Sequence, residues 1–327
     1  IMKLIDSFGR QINYLRLSVT DRCNLRCKYC MSTDGVAACQ HKDILPYESL
    51  QLIAETAVSM GIEKIRITGG EPLVRNGIVP FLARLSGIDG LRHLAISTNG
   101  ILLPEMAQDL FLAGVQRLNI SLDSLQAEKY RQITCGGELK KVFAGLKAAA
   151  KAGFPPPKIN VVAMRGFNDD EIIDFTEMTR DYGYSVRFIE YMPTLDQPDW
   201  QKQAISGQEI LDLISSKYEL EEVEKGPYAG PSKDYRIPGA YGSIGIITAV
   251  SGHFCATCNR IRITSTGKAK SCLFSNHETD LTPWLQSRDK VGIRQKLEEL
   301  VEKKPECHAV SIDGYEHENF LMSQVGG

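Results

Sequence analysis

The chain has 327 residues, of which 43% are hydrophobic and 24% are charged, and its formal net charge is -2. This composition is typical of a globular protein with one large domain or two ordinary ones. The near-neutral charge excludes a general attraction to nucleic acid or to an anionic membrane surface, and no segment reaches the roughly 20 apolar residues of a membrane helix.

The N-terminal 30 residues contain several charged side chains and no apolar run, so we expect no secretory leader and a cytoplasmic location. The nine cysteines should then be reduced, which makes them candidates for metal binding or chemistry rather than for disulfides. Six of them fall into two groups of three. Cys39, Cys135 and Cys307 remain, and we interpret them as ordinary small residues, because free Cys packs well.

Six short runs rich in β-branched residues predict strands in the first part of the chain, at 14–19, 64–68, 94–98, 117–123, 158–164 and 185–192. Helical stripes of apolar residues lie between them, at 46–60, 139–152 and 170–182. Strands that alternate with helices indicate parallel βα units with right-handed crossovers. A closed barrel of this kind has eight strands. Six predict an α/β fold with a partial (βα)6 TIM-like open barrel, whose wide mouth suits a large substrate.

The pattern changes near Pro193 to irregular chain rich in Gly and Pro. Further on, the sequence predicts strands at 243–249 and 261–264, a hairpin turn at Thr266-Gly267 and an amphipathic helix at 290–303. We therefore interpret residues 1–193 as the barrel domain. Residues 194–327 are interpreted as a smaller C-terminal α+β cap that closes its open side.

Cys23, Cys27 and Cys30 follow the first predicted strand with the spacing Cys-x3-Cys-x2-Cys, where the active-site loops of a βα barrel lie. Three thiolates on one loop can hold three irons of a 4Fe–4S cube, whereas a closed cluster takes four. The fourth iron is then open to a ligand, which is how a metal site becomes catalytic. The alternative is a zinc loop or a chance grouping, but this group has no obvious fourth ligand nearby.

This motif resembles that of the radical S-adenosylmethionine (SAM) superfamily. The resemblance implies that the open iron binds SAM and that one electron cleaves it to a 5′-deoxyadenosyl radical. Gly69-Gly70-Glu71-Pro72 follows the second strand and resembles the superfamily's second motif. Its glycines would let the backbone approach a ligand closely. Taken alone, these four residues are equally compatible with a simple turn.

Cys255, Cys258 and Cys272 form the second group, with the spacing Cys-x2-Cys-x13-Cys. On spacing alone, a zinc ribbon with His253 as fourth ligand remains an alternative. The segments around these cysteines, residues 254–264 and 271–274, resemble those of the GTP 3′,8-cyclases, the molybdenum cofactor biosynthesis protein A family. The resemblance extends over nearly the whole chain. It implies that the second group holds a second 4Fe–4S cluster, whose open iron faces the purine of GTP.

The resemblance also implies roles for further residues. It places GTP against Arg16, Arg66, Ser97, Lys158, Arg260 and Arg262. It places SAM against Tyr29, Gly70, Ser121 and Met192, and it assigns catalytic roles to Arg260, Arg262, Gly326 and Gly327. Arg16 and Arg66 each alternate with apolar neighbours, which puts both on one strand face. A triphosphate needs several cations, although a lone Arg or Lys is more often a solvated surface residue.

The activity implied by the resemblance is a lyase reaction early in molybdenum cofactor biosynthesis. The radical removes hydrogen from ribose C3′ of GTP, the carbon radical adds to guanine C8, and (8S)-3′,8-cyclo-7,8-dihydroguanosine 5′-triphosphate results. We expect a homodimer, an external electron donor, and transfer of the product to cyclic pyranopterin monophosphate synthase. No nucleic acid or membrane partner is expected. A peptide-modifying radical maturase and a non-enzymatic zinc-ribbon module remain as alternatives.

Overall fold

The computed structural model describes residues 3–31, 43–195, 200–224, 226, 228–311, 314 and 320–326. Cys39 and Gly327 lie outside these residues. Throughout the described chain, every helix is too short or too polar to cross a bilayer.

Six parallel strands form the centre of the molecule and lie side by side in chain order. They are β1 (Tyr14–Ser18), β2 (Lys64–Thr68), β3 (His93–Thr98), β4 (Arg117–Ser121), β5 (Lys158–Ala163) and β6 (Ser185–Glu190). Each strand ends within two residues of its predicted bounds. The predicted α/β partial barrel is therefore confirmed.

Helices follow these strands along the chain. They are α1 (Tyr47–Ser59), α2 (Ile78–Ser86), α3 (Leu103–Leu112), α4 (Ala127–Ile133), α5 (Leu139–Lys151) and α6 (Ile172–Asp181). The three predicted helices correspond to α1, α5 and α6. Sequence reasoning missed the other three, which have nine, ten and seven residues.

The C-terminal region continues the same sheet on both sides of the barrel. Its elements in chain order are α7 (Trp200–Gln203), α8 (Gly207–Ser215), β7 (Glu221–Val223), β8 (Lys233–Arg236), β9 (Ser243–Ile247), β10 (Arg260–Ile263), β11 (Lys268–Lys270), β12 (Thr279–Asp280), α9 (Thr282–Gln286), α10 (Lys290–Glu302) and α11 (Met322–Val325). β9 pairs in parallel with β6, and β10 pairs in parallel with β1. The domain boundary at residue 193 stays a prediction, since strands from both sides of it share one sheet.

Short antiparallel strands complete the sheet, which has the order β12-β11-β10-β1-β2-β3-β4-β5-β6-β9-β8-β7. The predicted turn at Thr266-Gly267 joins β10 to β11 and is confirmed. Gly267 has a φ of +90°, and its amide donates to the carbonyl of Thr264 at 3.1 Å. A residue with a side chain is strained in this conformation, which explains the glycine.

Side chains along the barrel strands alternate between an apolar and a polar environment. In β1, Leu15 and Leu17 are fully buried in the core that the helices cover, whereas Arg16 points to the opposite face. The same alternation surrounds Arg66 in β2. Each buried aliphatic side chain contributes about 1.5–3 kcal/mol. This outer apolar layer fixes the strand register, and so it fixes which polar side chains face the barrel interior.

Candidate functional site

A cavity of about 250 Å³ lies inside the barrel and is lined by residues from all six strands β1–β6 and from β9 and β10. Its walls include the predicted residues Arg16, Cys23, Cys27, Tyr29, Cys30, Arg66, Gly70, Ser97, Ser121, Met192, Arg260 and Arg262. The structure places Lys158, Cys255, Cys258, Cys272 and Gly326 outside this lining. Many lining residues lie at or just after the carboxyl ends of the parallel strands, where barrel active sites are found.

The loop that carries the first cysteine group follows β1 and is anchored to the end of α4. The amides of Arg26 and Lys28 donate to the carbonyls of Thr134 and Ile133, at 3.1 and 3.0 Å. The Cys30 amide donates to the Cys27 carbonyl at 2.9 Å, which closes a tight turn between two of the cysteines. These bonds fix the loop backbone so that all three thiols reach the cavity.

The environment of the three thiols fits a metal cluster. Burial raises the pKa of Cys23, and it raises the pKa of Cys30 to about 12. The pKa of Cys27 is raised well above its usual value by burial, then by Asp123 and by the two other sulfurs. Iron would supply the positive charge that stabilises three neighbouring thiolates. Each thiolate that holds a cube binds a different iron. The sulfur atoms of a cluster site therefore lie farther apart than the ligands of a site for one ion.

The Gly-Gly-Glu-Pro turn packs directly against the cysteine loop. The Gly70 amide donates to the Thr20 carbonyl at 2.8 Å, and the Glu71 amide donates to the Arg22 carbonyl at 2.7 Å. A Cβ atom on Gly70 would collide with the Arg22 carbonyl oxygen. Gly70 is thus required for the close approach of two backbones, in addition to lining the cavity.

Glu71 lies at the centre of this contact and ties β2 to β3. Its buried carboxylate accepts from the amides of Leu73 and Asn99 at 3.0 and 2.7 Å and from Thr98 Oγ1 at 2.9 Å. Burial raises the pKa of Glu71 to about 7, although these hydrogen bonds oppose the rise. The carboxylate therefore holds the strand ends in place beside the first cysteine group.

Asp123, which sequence reasoning missed, performs a similar role on the other side of the cavity. It accepts from the Tyr29 hydroxyl at 2.7 Å and from the Val162 amide at 2.8 Å. Burial raises its pKa to about 6. Through this carboxylate, the cysteine loop is joined to β5. The available signal was its position two residues after the end of β4, where polar side chains face the barrel mouth.

Three arginines form a row across adjacent strands. The register pairs Arg262 of β10 with Arg16 of β1, and Arg16 with Arg66 of β2. All three are at most 9% exposed and line the cavity. Side chains at paired positions of neighbouring strands share a face. The sheet therefore concentrates three guanidinium groups on the barrel interior.

A second row lies two residues earlier on the same face. It contains Arg260, Tyr14 and Lys64, which the register places side by side. The Tyr14 hydroxyl is buried and has no hydrogen-bond partner among the described residues. Burial raises the pKa of Tyr14, but Arg66, Arg16 and the other nearby cations lower it to about 7. Sequence reasoning missed Tyr14, although its position two residues before Arg16 placed it on the same face.

Mutual repulsion among these cations is visible in their pKa values. Burial and then Arg262 lower the pKa of Arg16 well below its usual range. Burial, then Arg187 and Lys64, lower the pKa of Lys158 to about 7. Arg187, a cavity-lining residue of β6 that sequence reasoning also missed, is itself 4% exposed. A polyanion in the cavity would stabilise all these charges at once.

The C-terminal tail reaches the arginine row. The Gly326 carbonyl accepts from Arg16 Nη2 at 2.8 Å and from Arg16 Nε at 3.2 Å. Gly326 has a φ of +81°, and a Cβ there would lie 2.6 Å from Thr68 Oγ1. Only a glycine fits both the conformation and the space. The tail therefore lies beside the cavity walls formed by β1 and β2.

Positive charges lie beside two members of the second cysteine group, Cys258 and Cys272. Burial opposes ionisation of Cys258, but Arg260 and Lys304 lower its pKa to about 6. Arg260 Nη2 lies 3.9 Å from Cys258 Sγ, and Lys304 Nζ donates to the Arg260 carbonyl at 3.1 Å. Cys272 is near enough to Lys304 to influence its pKa too. Cys258 thus has cations nearby that favour its thiolate, whereas burial and the neighbouring Cys307 raise the pKa of Cys255 to about 12. Iron would supply the positive charge that Cys255 lacks.

Arg10 holds the second group in position and was not predicted to do so. Its guanidinium is paired with Asp6 at 2.5 Å, donates to the Cys255 carbonyl at 2.8 Å, and donates to the Pro305 carbonyl at 2.7 Å. Because the Cys255 and Pro305 carbonyls lie far along the chain from Arg10, no local pattern in the sequence indicated these two contacts. Cys135 and Cys307 are both exposed. Neither therefore packs into the core, and the interpretation of both as ordinary small residues stays a prediction.

A partial parallel barrel with three cysteines on the loop after its first strand, beside a Gly-Gly-Glu-Pro turn, defines the class of the radical SAM enzymes. Residues 17–179 match the radical SAM superfamily, and residues 184–310 match the family Molybdenum Cofactor Synthesis C. Streptococcus suis SuiB bound to S-adenosylmethionine is similar in fold, with a TM-score of 0.60 and 15% identity, over 88% of this chain and 69% of SuiB. The structure of anSMEcpe with bound AdoMet has a TM-score of 0.58 and 15% identity, over 88% and 82% of the two chains.

Two relatives identify the family of this chain within the radical SAM class. A Geobacter sulfurreducens protein named GTP 3′,8-cyclase is 62% identical over 326 residues, which span 100% of both chains. A protein of the same name from Alkaliphilus oremlandii is 47% identical over 323 residues, or 98% of this chain and 99% of its own. The chain therefore belongs to the GTP 3′,8-cyclase family of the radical SAM superfamily. As a member of the radical SAM superfamily, it uses SAM and an iron–sulfur cluster as cofactors.

Proposed function

We propose that this chain converts GTP to (8S)-3′,8-cyclo-7,8-dihydroguanosine 5′-triphosphate, in the first step of molybdenum cofactor biosynthesis. The observation that carries the proposal is that one cavity is lined by both the first cysteine group and the arginine row. The cysteines suit the cofactor and the arginines suit a triphosphate. A cofactor-derived radical and a nucleotide are thus brought together in a single cavity.

The SAM end of the cavity is formed around Cys23, Cys27 and Cys30. When bound there, the cluster supplies the electron that cleaves SAM to a 5′-deoxyadenosyl radical. Tyr29, Gly70, Ser121 and Met192 all line the cavity and bind SAM in this proposal. Asp123 orients Tyr29 through their 2.7 Å hydrogen bond. Glu71 keeps the strand ends fixed, so the site is preorganised by buried carboxylates.

The GTP end of the cavity is formed by the two cationic rows. Arg16, Arg66 and Arg262 bind the phosphates, and each charge-assisted hydrogen bond contributes roughly 1.5–3 kcal/mol. Arg260 contributes from the second row, and Ser97 contributes a hydroxyl from β3. Lys158 lies outside the lining but belongs to the same group of interacting charges. A triphosphate would raise its pKa and restore its positive charge.

Cys255, Cys258 and Cys272 would hold a second 4Fe–4S cluster in this proposal, and the iron without a cysteine ligand would be available to the purine of GTP. The support is the proximity of Cys258 to Arg260, a cavity-lining residue. Replacing the three cysteines together by Ala should leave about half of the iron and some SAM cleavage. Stoichiometric zinc in anaerobically prepared protein, or loss of all cleavage with the first cluster intact, would contradict this arrangement.

The tail and the β10 arginines complete the catalytic arrangement. Gly326 and Gly327 guide the radical on GTP together with Arg260 and Arg262. The support is the contact of the Gly326 carbonyl with Arg16 at the edge of the cavity. A homodimer, an external electron donor, transfer of the product to cyclic pyranopterin monophosphate synthase and a cytoplasmic location stay predictions.

Product analysis tests the proposed activity. The reconstituted chain is incubated anaerobically with GTP, SAM and a reductant, and both 5′-deoxyadenosine and the cyclised nucleotide are quantified. We expect both products, and neither from the variant in which Cys23, Cys27 and Cys30 are Ala. Formation of 5′-deoxyadenosine without a GTP-derived product would refute GTP as substrate. It would favour the peptide-modifying alternative instead.

A further inference from the structure

A compact set of potential metal ligands lies beside the second cysteine group. The ligand atoms of His253, Cys255 and Cys307 all lie within 4.8 Å of one another, and Cys307 Sγ is 3.3 Å from His253 Nδ1. Zinc–ligand distances of about 2.3 Å for sulfur and 2.0–2.1 Å for nitrogen, at tetrahedral angles, place such ligands about 3.5–3.8 Å apart. The spacing thus fits three ligands of one ion.

The two chain segments that supply these ligands are held together by Arg10. Its guanidinium donates to the Cys255 carbonyl and, through the same nitrogen, to the Glu306 carbonyl, at 2.8 and 2.9 Å. The ion pair with Asp6 fixes this guanidinium, and both side chains are at most 7% exposed. Arg10 therefore sets the distance between residue 255 and residue 307. The ligands are brought together by the fold rather than by a flexible surface contact.

This set differs from both three-cysteine groups. Within the described part of the chain, it is the one group of three His, Cys, Asp or Glu side chains with ligand atoms this close. The cysteines of a cube bind different irons and are spread farther apart. Cys258 and Cys272 lie outside the compact set, and Cys255 belongs to both sets. A single ion and a second cluster therefore compete for the Cys255 sulfur.

We propose that His253, Cys255 and Cys307 bind one thiophilic divalent cation such as Zn²⁺, and that this binding prevents assembly of the second cluster. Two thiolates and one imidazole leave a fourth position for water. Binding releases two thiol protons and neutralises the charge of the ion, with no change of oxidation state. The competition rests on the proposed second cluster, whereas the ion site itself does not. A chain with the ion bound would cleave SAM without cyclising GTP.

Cobalt binding tests the ion site. Co²⁺ is titrated anaerobically into the metal-free full-length chain with Cys23, Cys27 and Cys30 replaced by Ala, and thiolate-to-cobalt absorption is followed. We expect one Co²⁺ per chain, and at least tenfold weaker binding after Cys307→Ser or His253→Ala. Cys258→Ser and the exposed Cys135→Ser serve as controls and should bind Co²⁺ as the parent does. Equal affinity in Cys307→Ser, or loss of binding in Cys258→Ser, would overturn the assignment.

Iron uptake tests the competition separately, in chains that keep the first cysteine group. Preincubation with Zn²⁺ should reduce the iron taken up on reconstitution by about half, and Cys307→Ser should take up the full amount with Zn²⁺ present. Equal inhibition of both chains would overturn the competition. If Cys258→Ser changes neither iron content nor cobalt binding, the proposal of a second cluster is wrong, whereas the proposal of the ion site is still supported. The two proposals can thus fail independently.

Discussion

Tyr14 offers a direct test of the cationic interior of the barrel. Its hydroxyl is buried without a hydrogen-bond partner among the described residues. Burial favours the neutral phenol, but Arg66, Arg16, Lys64 and Arg260 lower the pKa of Tyr14 from 10.0 to about 7. The phenolate is favoured because it balances part of the surrounding positive charge. Removing the hydroxyl should therefore change how stability depends on pH.

The direction follows from the lowered pKa. The folded chain releases the Tyr14 proton more readily than the unfolded chain, so ionisation stabilises the fold. This contribution grows as the pH rises from about 7 toward 10 and is lost as the pH falls through about 7. At about 1.36 kcal/mol per pKa unit, the contribution rises by roughly 2–3 kcal/mol between about pH 6 and pH 9. The Tyr14→Phe variant should lack this pH-dependent contribution to the free energy of unfolding.

Urea unfolding of the nucleotide-free protein at the two pH values measures the effect. The difference in free energy of unfolding between wild type and Tyr14→Phe should grow by roughly 2–3 kcal/mol from about pH 6 to pH 9. Tyr130→Phe is the matched control, since Tyr130 is also buried without a hydroxyl partner in the described chain, but burial raises its pKa. The difference in free energy of unfolding between wild type and Tyr130→Phe should be the same at both pH values. A constant difference for Tyr14→Phe as well would refute the reasoning about the cationic interior.

Three further predictions concern the walls of the cavity. Arg16→Ala should weaken GTP binding roughly 10- to 150-fold in calorimetry, because it removes the central cation of the arginine row. Arg131→Ala, which changes an exposed arginine, is its control. Equal GTP affinities of Arg16→Ala and wild type would contradict the phosphate site. Gly70→Ala should lower SAM cleavage and cost about 1–3 kcal/mol in unfolding, because its Cβ collides with the cysteine loop. Gly226→Ala meets no atom within 4 Å and should change neither quantity. Deleting residues 326–327 should retain 5′-deoxyadenosine formation but suppress cyclised product, and a normal yield would show that the tail has no catalytic role.

The barrel strands were predictable because each one alternates apolar and polar side chains over a buried face. Leu15 and Leu17 around Arg16 are sufficient to indicate a strand with one face in the core. The first cysteine group was predictable from its spacing alone. Its position on the loop after β1 followed from the order of strand and motif. These features depend on neighbours in sequence, so local reasoning reaches them.

The contacts that complete the site connect residues far apart in sequence. Arg10 reaches the Cys255 carbonyl across 245 positions, and its neighbouring residues give no hint of that partner. Cys307 lies against His253, 54 positions away. Arg187 was within reach of the strand pattern, since it lies between Val186 and Phe188 in β6, and it was overlooked because no motif marks it. Long-range polar contacts are set by the tertiary fold, and a single sequence contains no direct signal for them.

The pairing of β10 with β1 shows why the C-terminal region is essential for the site. The apolar residues Ile261 and Ile263 of β10 face the same core as Leu15 and Leu17 of β1 and fix the register of the two strands. That register puts Arg262 beside Arg16. A shift of one residue would turn Arg262 out of the barrel and bury Ile261 or Ile263 against the polar interior. The arginine row therefore exists only because the chain returns from its C-terminal region to the edge of its first strand, which also brings Arg260, the neighbour of Cys258, to the cavity.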